Sequence, residues 1–134
     1  MYTEKILIVD DEKLLCLAMR VQLIQDGYTS VDVAYSGEEA TEKAKLTKYD
    51  IVFLDIVLPG INGIKTSTLI KDISSTTKII FMSGHVSAEL IKTDLKRAIK
   101  GEQVIFLYKP FKKDDISEII NGLLKEKNFV YAAL

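Results

Sequence analysis

Short apolar runs alternate along this chain with longer stretches whose apolar positions recur every three or four residues. The short runs occupy residues 6–9, 31–34, 51–54, 79–82 and 104–108, and each reads as a strand. They are apolar at nearly every position, not at every second one. Strands of that kind are covered on both faces, which predicts a mainly parallel sheet between two layers of helices.

The intervening stretches supply the helices. Leu14, Leu17, Ala18, Val21 and Ile24 recur at helical spacing and predict a first helix with this apolar face, ended by Gly27 in a left-handed cap. Ser36 and Glu39 have capping-box spacing and open a short second helix carrying Ala40 and Ala44. A third begins near Gly63, although Thr66, Ser67 and Thr68 are mediocre helix formers. Ser87 caps a fourth, running through Leu90, Ile91, Leu95 and Ile99, and a last helix opens near Asp114 and Asp115 with Ile116, Ile119, Ile120, Leu123 and Leu124 on its apolar face. The pattern predicts one α/β domain over residues 1–127, leaving an apolar, uncapped tail at 128–134 of unassigned structure.

Composition narrows the role. A chain of 134 residues with 48% hydrophobic and 28% charged positions has the makeup of an ordinary globular domain. Its 18 basic and 19 acidic residues leave a net charge of −1, so no basic field gathers nucleic acid or an anionic membrane. Cys16 is the only cysteine, which rules out an internal disulfide and suits a reducing compartment; a buried helix position explains it more simply than a reactive thiol. The first apolar run, four residues long, is too short for a signal-peptide core or a membrane span, so the expected location is cytoplasmic.

In an open α/β sheet, ligands bind beyond the carboxyl ends of the strands. Asp10 and Asp11 follow the first run, Asp55 the third, Ser83 and Gly84 the fourth, and Lys109 and Pro110 the fifth. Singly, each has a structural explanation: Asp11 a helix cap, Asp55 a turn residue before Pro59 and Gly60, Ser83 another cap, Lys109 a solvated lysine. Together they bring three carboxylates, a hydroxyl and a lysine to one rim. Carboxylates so close stay ionised only beside a cation, and Mg2+, a hard ion that takes carboxylate oxygens and bridges to phosphate, is the natural one. Such a site suits phosphoryl transfer, with a carboxylate as the accepting nucleophile.

The stretches "ILIVDDEK", "DIVFLDIVLPGINGI", "IIFMSG" and "FLYKPF" resemble, in order and close to the spacing, the motifs of the receiver domain of two-component response regulators. The resemblance implies a chemotaxis-type single domain with a flavodoxin-like (βα)5 fold, its five parallel strands ordered 2-1-3-4-5. It implies that Asp55 accepts a phosphoryl group from a sensor histidine kinase or a phosphotransfer protein. Asp10 and Asp11 would hold Mg2+ with the Asp55 carboxylate and the backbone carbonyl of Val57. Lys109 would pair with the phosphoryl oxygens, and Ser83 would turn inward to the new group past an unobstructed Gly84. A cis bond before Pro110 would aim Lys109, and Phe106 would repack as the aromatic switch. Such a domain takes part in its own phosphorylation and dephosphorylation without being a turnover enzyme, and it passes its signal to an effector protein or to a C-terminal output domain that these residues do not contain.

Two features depart from the family pattern. The interval from Ser83 to Lys109 is longer than expected by about one helical turn, with the excess around "KRAIKGEQVIF", and His85 stands near the pocket, where a solvated loop histidine is the simpler reading. Of the rivals, an aspartate-nucleophile phosphatase would need an acid where Val57 stands, and a flavodoxin-like cofactor carrier would need a phosphate loop where "DDEK" repels phosphate. The remaining alternative is a pseudo-receiver, an unphosphorylated protein-interaction module, against which the complete set of acids, serine and lysine argues.

Overall fold

The computed structural model describes residues 1–84 and 104–125. Its elements run β1 (Tyr2–Val9), α1 (Lys13–Gln25), β2 (Tyr28–Ala34), α2 (Gly37–Leu46), β3 (Ile51–Asp55), α3 (Gly63–Ile73), β4 (Lys78–Gly84), β5 (Ile105–Lys109) and α4 (Lys113–Lys125). The helix predicted from Ser87, His85, the turn before β5 and the tail lie outside the described residues. All strand pairs are parallel, in the order β2-β1-β3-β4-β5. This is the flavodoxin-like sheet order that the resemblance implied. Among the described residues no helix is long and apolar enough to cross a membrane.

Strand alternation divides the core into two layers. Ile6, Ile8, Phe53, Ile80, Met82, Ile105 and Leu107 face α1 and α4, where Cys16, Met19, Leu23, Ile116, Ile119 and Ile120 meet them. Leu7, Val9, Val52, Leu54, Phe81 and Phe106 point the other way, toward Ala40, Ala44 and Ile70 of α2 and α3. The middle positions of the central strands are therefore apolar because both faces are buried. Strands β1 and β2 start earlier than their apolar runs suggest: Tyr2 pairs with Tyr28 and Lys5 with Ser30.

The helix boundaries follow from capping. Ser36 accepts from the Glu39 amide at 3.1 Å, and the Glu39 carboxylate returns a bond to the Tyr35 amide at 2.7 Å. Asn62 caps α3 through the Lys65 amide. The weak helix formers Thr66, Ser67 and Thr68 satisfy their hydroxyls within the helix by donating to the Asn62 and Ile64 carbonyls. Asp115 accepts from the Lys112 amide and opens α4.

Helix α1 forms where the pattern places it, and Gly27 takes the left-handed conformation at φ 107°. Its predicted apolar face, however, is not the buried one. Leu14, Leu17, Val21 and Ile24 are 82%, 56%, 45% and 46% exposed, Ala18 is exposed too, and Cys16, Met19 and Leu23 pack on the sheet. Polar contacts fix this rotation: the Cys16 thiol donates to the Asp10 carbonyl, Arg20 Nε to the Val31 carbonyl, and Asp26 accepts from Ser117 of α4. The Arg20 bond also occupies the open edge of β2, as does Lys43, which donates to the Val33 carbonyl.

Candidate functional site

The same alternation that sorts the core positions the polar residues at the carboxyl edge. Asp10 continues the side of Ile6 and Ile8, Asp55 that of Ile51 and Phe53, and Lys109 that of Ile105 and Leu107. Three strand ends thus deliver two acids and a lysine to one side of the sheet. Lys109 Nζ donates to Asp10 Oδ2 at 2.6 Å and to Asp55 Oδ2 at 3.1 Å. The remaining oxygens are also occupied: Asp10 Oδ1 accepts from the Glu12 amide at 2.9 Å, and Asp55 Oδ1 from the Val57 amide at 3.2 Å. Asp10 is fully buried and Asp55 only 6% exposed.

Burial pushes the Asp55 carboxyl up to about 6; Lys109 opposes the rise, the Asp10 charge adds to it, and the Val57 amide opposes it. Burial alone would lower Lys109, but its bond to Asp10 and the charges of Asp55 and Asp10 more than offset this and hold its pKa above the ordinary lysine value. The lysine therefore stays a cation wedged between two acids. Asp11 is exposed, and oxygens of Asp10, Asp11 and Asp55 lie within 4.8 Å of one another. Three hard carboxylate oxygens that close fit a hard divalent cation such as Mg2+, which keeps waters on its open positions.

The expected cap at Asp11 does not form. Glu12 is the N-cap residue of α1, its side chain makes no capping bond, and the carboxylate that takes the Glu12 amide is that of Asp10. Glu12 also lies near the site: its carboxylate is 3.7 Å from Lys109 Nζ. Gly63 is a further contributor, read from sequence only as a helix start. A Cβ there would lie 2.2 Å from the Asp55 carbonyl oxygen, so glycine lets the first turn of α3 close against the end of β3.

Ser83 and Phe106 fall on the opposite side of the sheet. The buried Ser83 hydroxyl donates to the Gly84 carbonyl at 3.1 Å. Phe106 is buried between Phe81, 6.1 Å away between centroids, and Tyr108, stacked at 5.9 Å. No described atom comes within 4 Å of a Cβ built on Gly84, so space alone does not demand glycine there. The Lys109–Pro110 bond is cis. Cys16 is buried, with its pKa raised to about 11 by that burial and by the charge of Asp10, which makes it an inert core thiol at neutral pH.

Fold and site together define a flavodoxin-like α/β protein with an acidic, lysine-bridged pocket at the carboxyl edge of its sheet. Residues 6–121 match the response regulator receiver domain family. Chemotaxis protein CheY of Bacillus subtilis is 32% identical over 120 residues, 90% of this chain and 97% of that protein. Response regulator ArlR of Staphylococcus haemolyticus is 30% identical over 91% of this chain. The chain spans about half of ArlR, 53%, and 20% of another curated relative. Among solved structures, response regulator TrrA of Thermotoga maritima in complex with Mg2+–BeF is 30% identical and superposes with a TM-score of 0.75, covering 90% of this chain and 99% of that one. The chain belongs to the response regulator receiver domain family. Receiver domains of this kind are signalling switches of two-component systems, not turnover enzymes.

Proposed function

We propose that this chain is a phosphorylation-dependent switch in which Asp55 is the phosphoacceptor. A carboxylate oxygen of Asp55 attacks phosphorus of a phosphohistidine on a sensor kinase or phosphotransfer protein, the P–N bond breaks, and the imidazole leaves with the bonding pair. Lys109 carries this reading: a single ammonium already bonded to both Asp10 and Asp55 is placed to follow the new phosphoryl oxygens when they replace one carboxylate charge. Asp10, Asp11, Asp55 and the backbone carbonyl of Val57 are the groups that would hold Mg2+, which supplies charge neutralisation for the incoming phosphoryl oxygens. The Mg2+–BeF complex of the relative TrrA supports Mg2+ as the ion.

The switch follows from the same contacts. Lys109 leaving Asp10 for the phosphoryl group, and the Ser83 hydroxyl leaving the Gly84 carbonyl for it, favour a second packing of the β4 and β5 ends. Phe106 sits one strand from Ser83 against Phe81 and lacks a hydroxyl, so its rotamer answers to packing alone. Water attack on the acyl phosphate returns the chain to its resting state. The receiver occupies residues 1–127, and its readout is an effector protein or an output domain such as the longer relatives have room for.

Acetyl phosphate with Mg2+ tests the proposal. Intact mass should show one phosphoryl group on the wild-type chain and none on Asp55→Asn. Unchanged labelling of the variant would move the acceptor elsewhere, and no labelling of either chain would favour a pseudo-receiver.

A further inference from the structure

The loop from Val57 to Asn62 carries the Val57 carbonyl assigned to the cation, and it runs over the surface with Val57 and Gly60 exposed. Its ends are fixed locally: the Val57 amide bonds to Asp55 Oδ1, and the Gly63 amide donates to the Ile56 carbonyl at 2.8 Å. Among the described residues, one hydrogen bond ties the middle of the loop to another element. Ile61 donates its amide to Glu38 Oε2, in the first turn of α2, at 3.1 Å. The Glu38 carboxylate also lies against Gly60, which has φ 74°; a Cβ there would be 2.4 Å from Glu38 Oε2. Helix α2 reaches the loop because Gly37 lets it: a Cβ on Gly37 would lie 2.7 Å from Ile61 Cγ1 and 2.1 Å from Thr66 Oγ1 of α3.

We propose that Glu38 is a positioning residue of the phosphoacceptor site, holding the Gly60–Ile61 turn so that the loop presents the Val57 carbonyl to the divalent cation. This role rests on the metal reading proposed above. Three observations converge on it: the Ile61 bond, the contact at the left-handed Gly60, and the close seat of Gly37 on Ile61 and Thr66. Glu38 touches neither the acids nor Lys109 in this arrangement, so its effect passes through the loop backbone. A fixed ligand carbonyl binds the ion without first being ordered, and outer contacts that orient a ligand commonly govern metal affinity.

Titration calorimetry of the full chain with Mg2+ tests the role, using wild type, Glu38→Ala and Glu38→Gln, with amide exchange of Ile61 followed by NMR. The alanine variant should bind Mg2+ about tenfold more weakly, with faster Ile61 exchange and an unchanged melting temperature. Glu38→Gln keeps an acceptor oxygen for Ile61 and should stay within about twofold of wild type, which separates positioning from loss of a negative charge. Wild-type affinity and unchanged Ile61 exchange in Glu38→Ala would overturn the positioning role alone. Absence of Mg2+ binding by the wild-type chain would overturn the metal reading, and this role with it.

Discussion

The acidic rim and the outer face of α1 are neighbours, and they depart from ordinary burial in opposite directions. The rim hides charge: Asp10 is 0% and Asp55 6% exposed, with Lys109 between them. The outer face of α1, starting two residues after Glu12, shows apolar side chains to water, with Leu14 82% and Leu17 56% exposed. Neither arrangement maximises stability. A buried acid pair held by one lysine costs desolvation that an apolar cluster would not, and leucines left in water contribute little of the burial energy they could. The difference sets buried charge at the rim directly beside an exposed apolar surface.

The sharpest test of this contrast lies within α1. Leu23→Ala should cost about 2–5 kcal/mol in urea unfolding, as for a buried leucine that leaves a cavity. Leu17→Ser should stay within about 0.5 kcal/mol of wild type and leave acetyl phosphate labelling intact. Equal losses of stability in the two variants would erase the distinction between the faces.

At the rim, Lys109→Met removes the one cation that, among the described residues, is bonded to both buried acids. Without Mg2+ at neutral pH the loss should be about 2–3 kcal/mol, below the figure for a fully buried pair because 19% of the lysine side chain is exposed. Millimolar Mg2+ should recover part of it, as measured by the melting temperature.

A smaller effect of opposite sign is expected at Asp55. Its carboxyl titrates at about 6 in the folded chain against an ordinary value of 3.8, so the folded state retains the proton longer. Stability from this group is therefore greatest below pH 3.8 and declines as pH rises through about 6. Asp55→Asn, which cannot ionise, should melt higher than wild type at pH 7.5 without Mg2+, by the equivalent of about 1–3 kcal/mol, and the gap should close as the pH falls toward 4. A variant less stable than wild type at pH 7.5 would mean that the ion pair with Lys109 outweighs the burial of the charge.

The contrast also marks where the sequence was legible. The strands and rim could be read because apolar runs buried on both faces stop abruptly at Asp10, Asp55, Ser83 and Lys109, and a parallel sheet aligns those ends. The rotation of α1 could not. This helix carries apolar residues both at Leu14, Leu17, Val21 and Ile24 and at Cys16, Met19 and Leu23, and periodicity does not say which row meets the sheet. Contacts distant in sequence decide it, among them Arg20 with Val31 and Asp26 with Ser117. For the same reason the local sequence does not reveal that Glu12 lies 3.7 Å from Lys109, which comes from the far end of the chain. Spacing alone allows Asp11 to cap α1, but it is the Asp10 carboxylate that turns back and accepts from the Glu12 amide.

Asp55, which Lys109 bridges to Asp10, is the group proposed to become phosphorylated. Borohydride reduction of the chain after reaction with acetyl phosphate and Mg2+, followed by peptide mapping, tests it most directly, because reduction converts an aspartyl phosphate to homoserine and leaves free carboxylates unchanged. Homoserine at position 55 and at no other position is the predicted result. Homoserine at another aspartate, with position 55 intact, would contradict it.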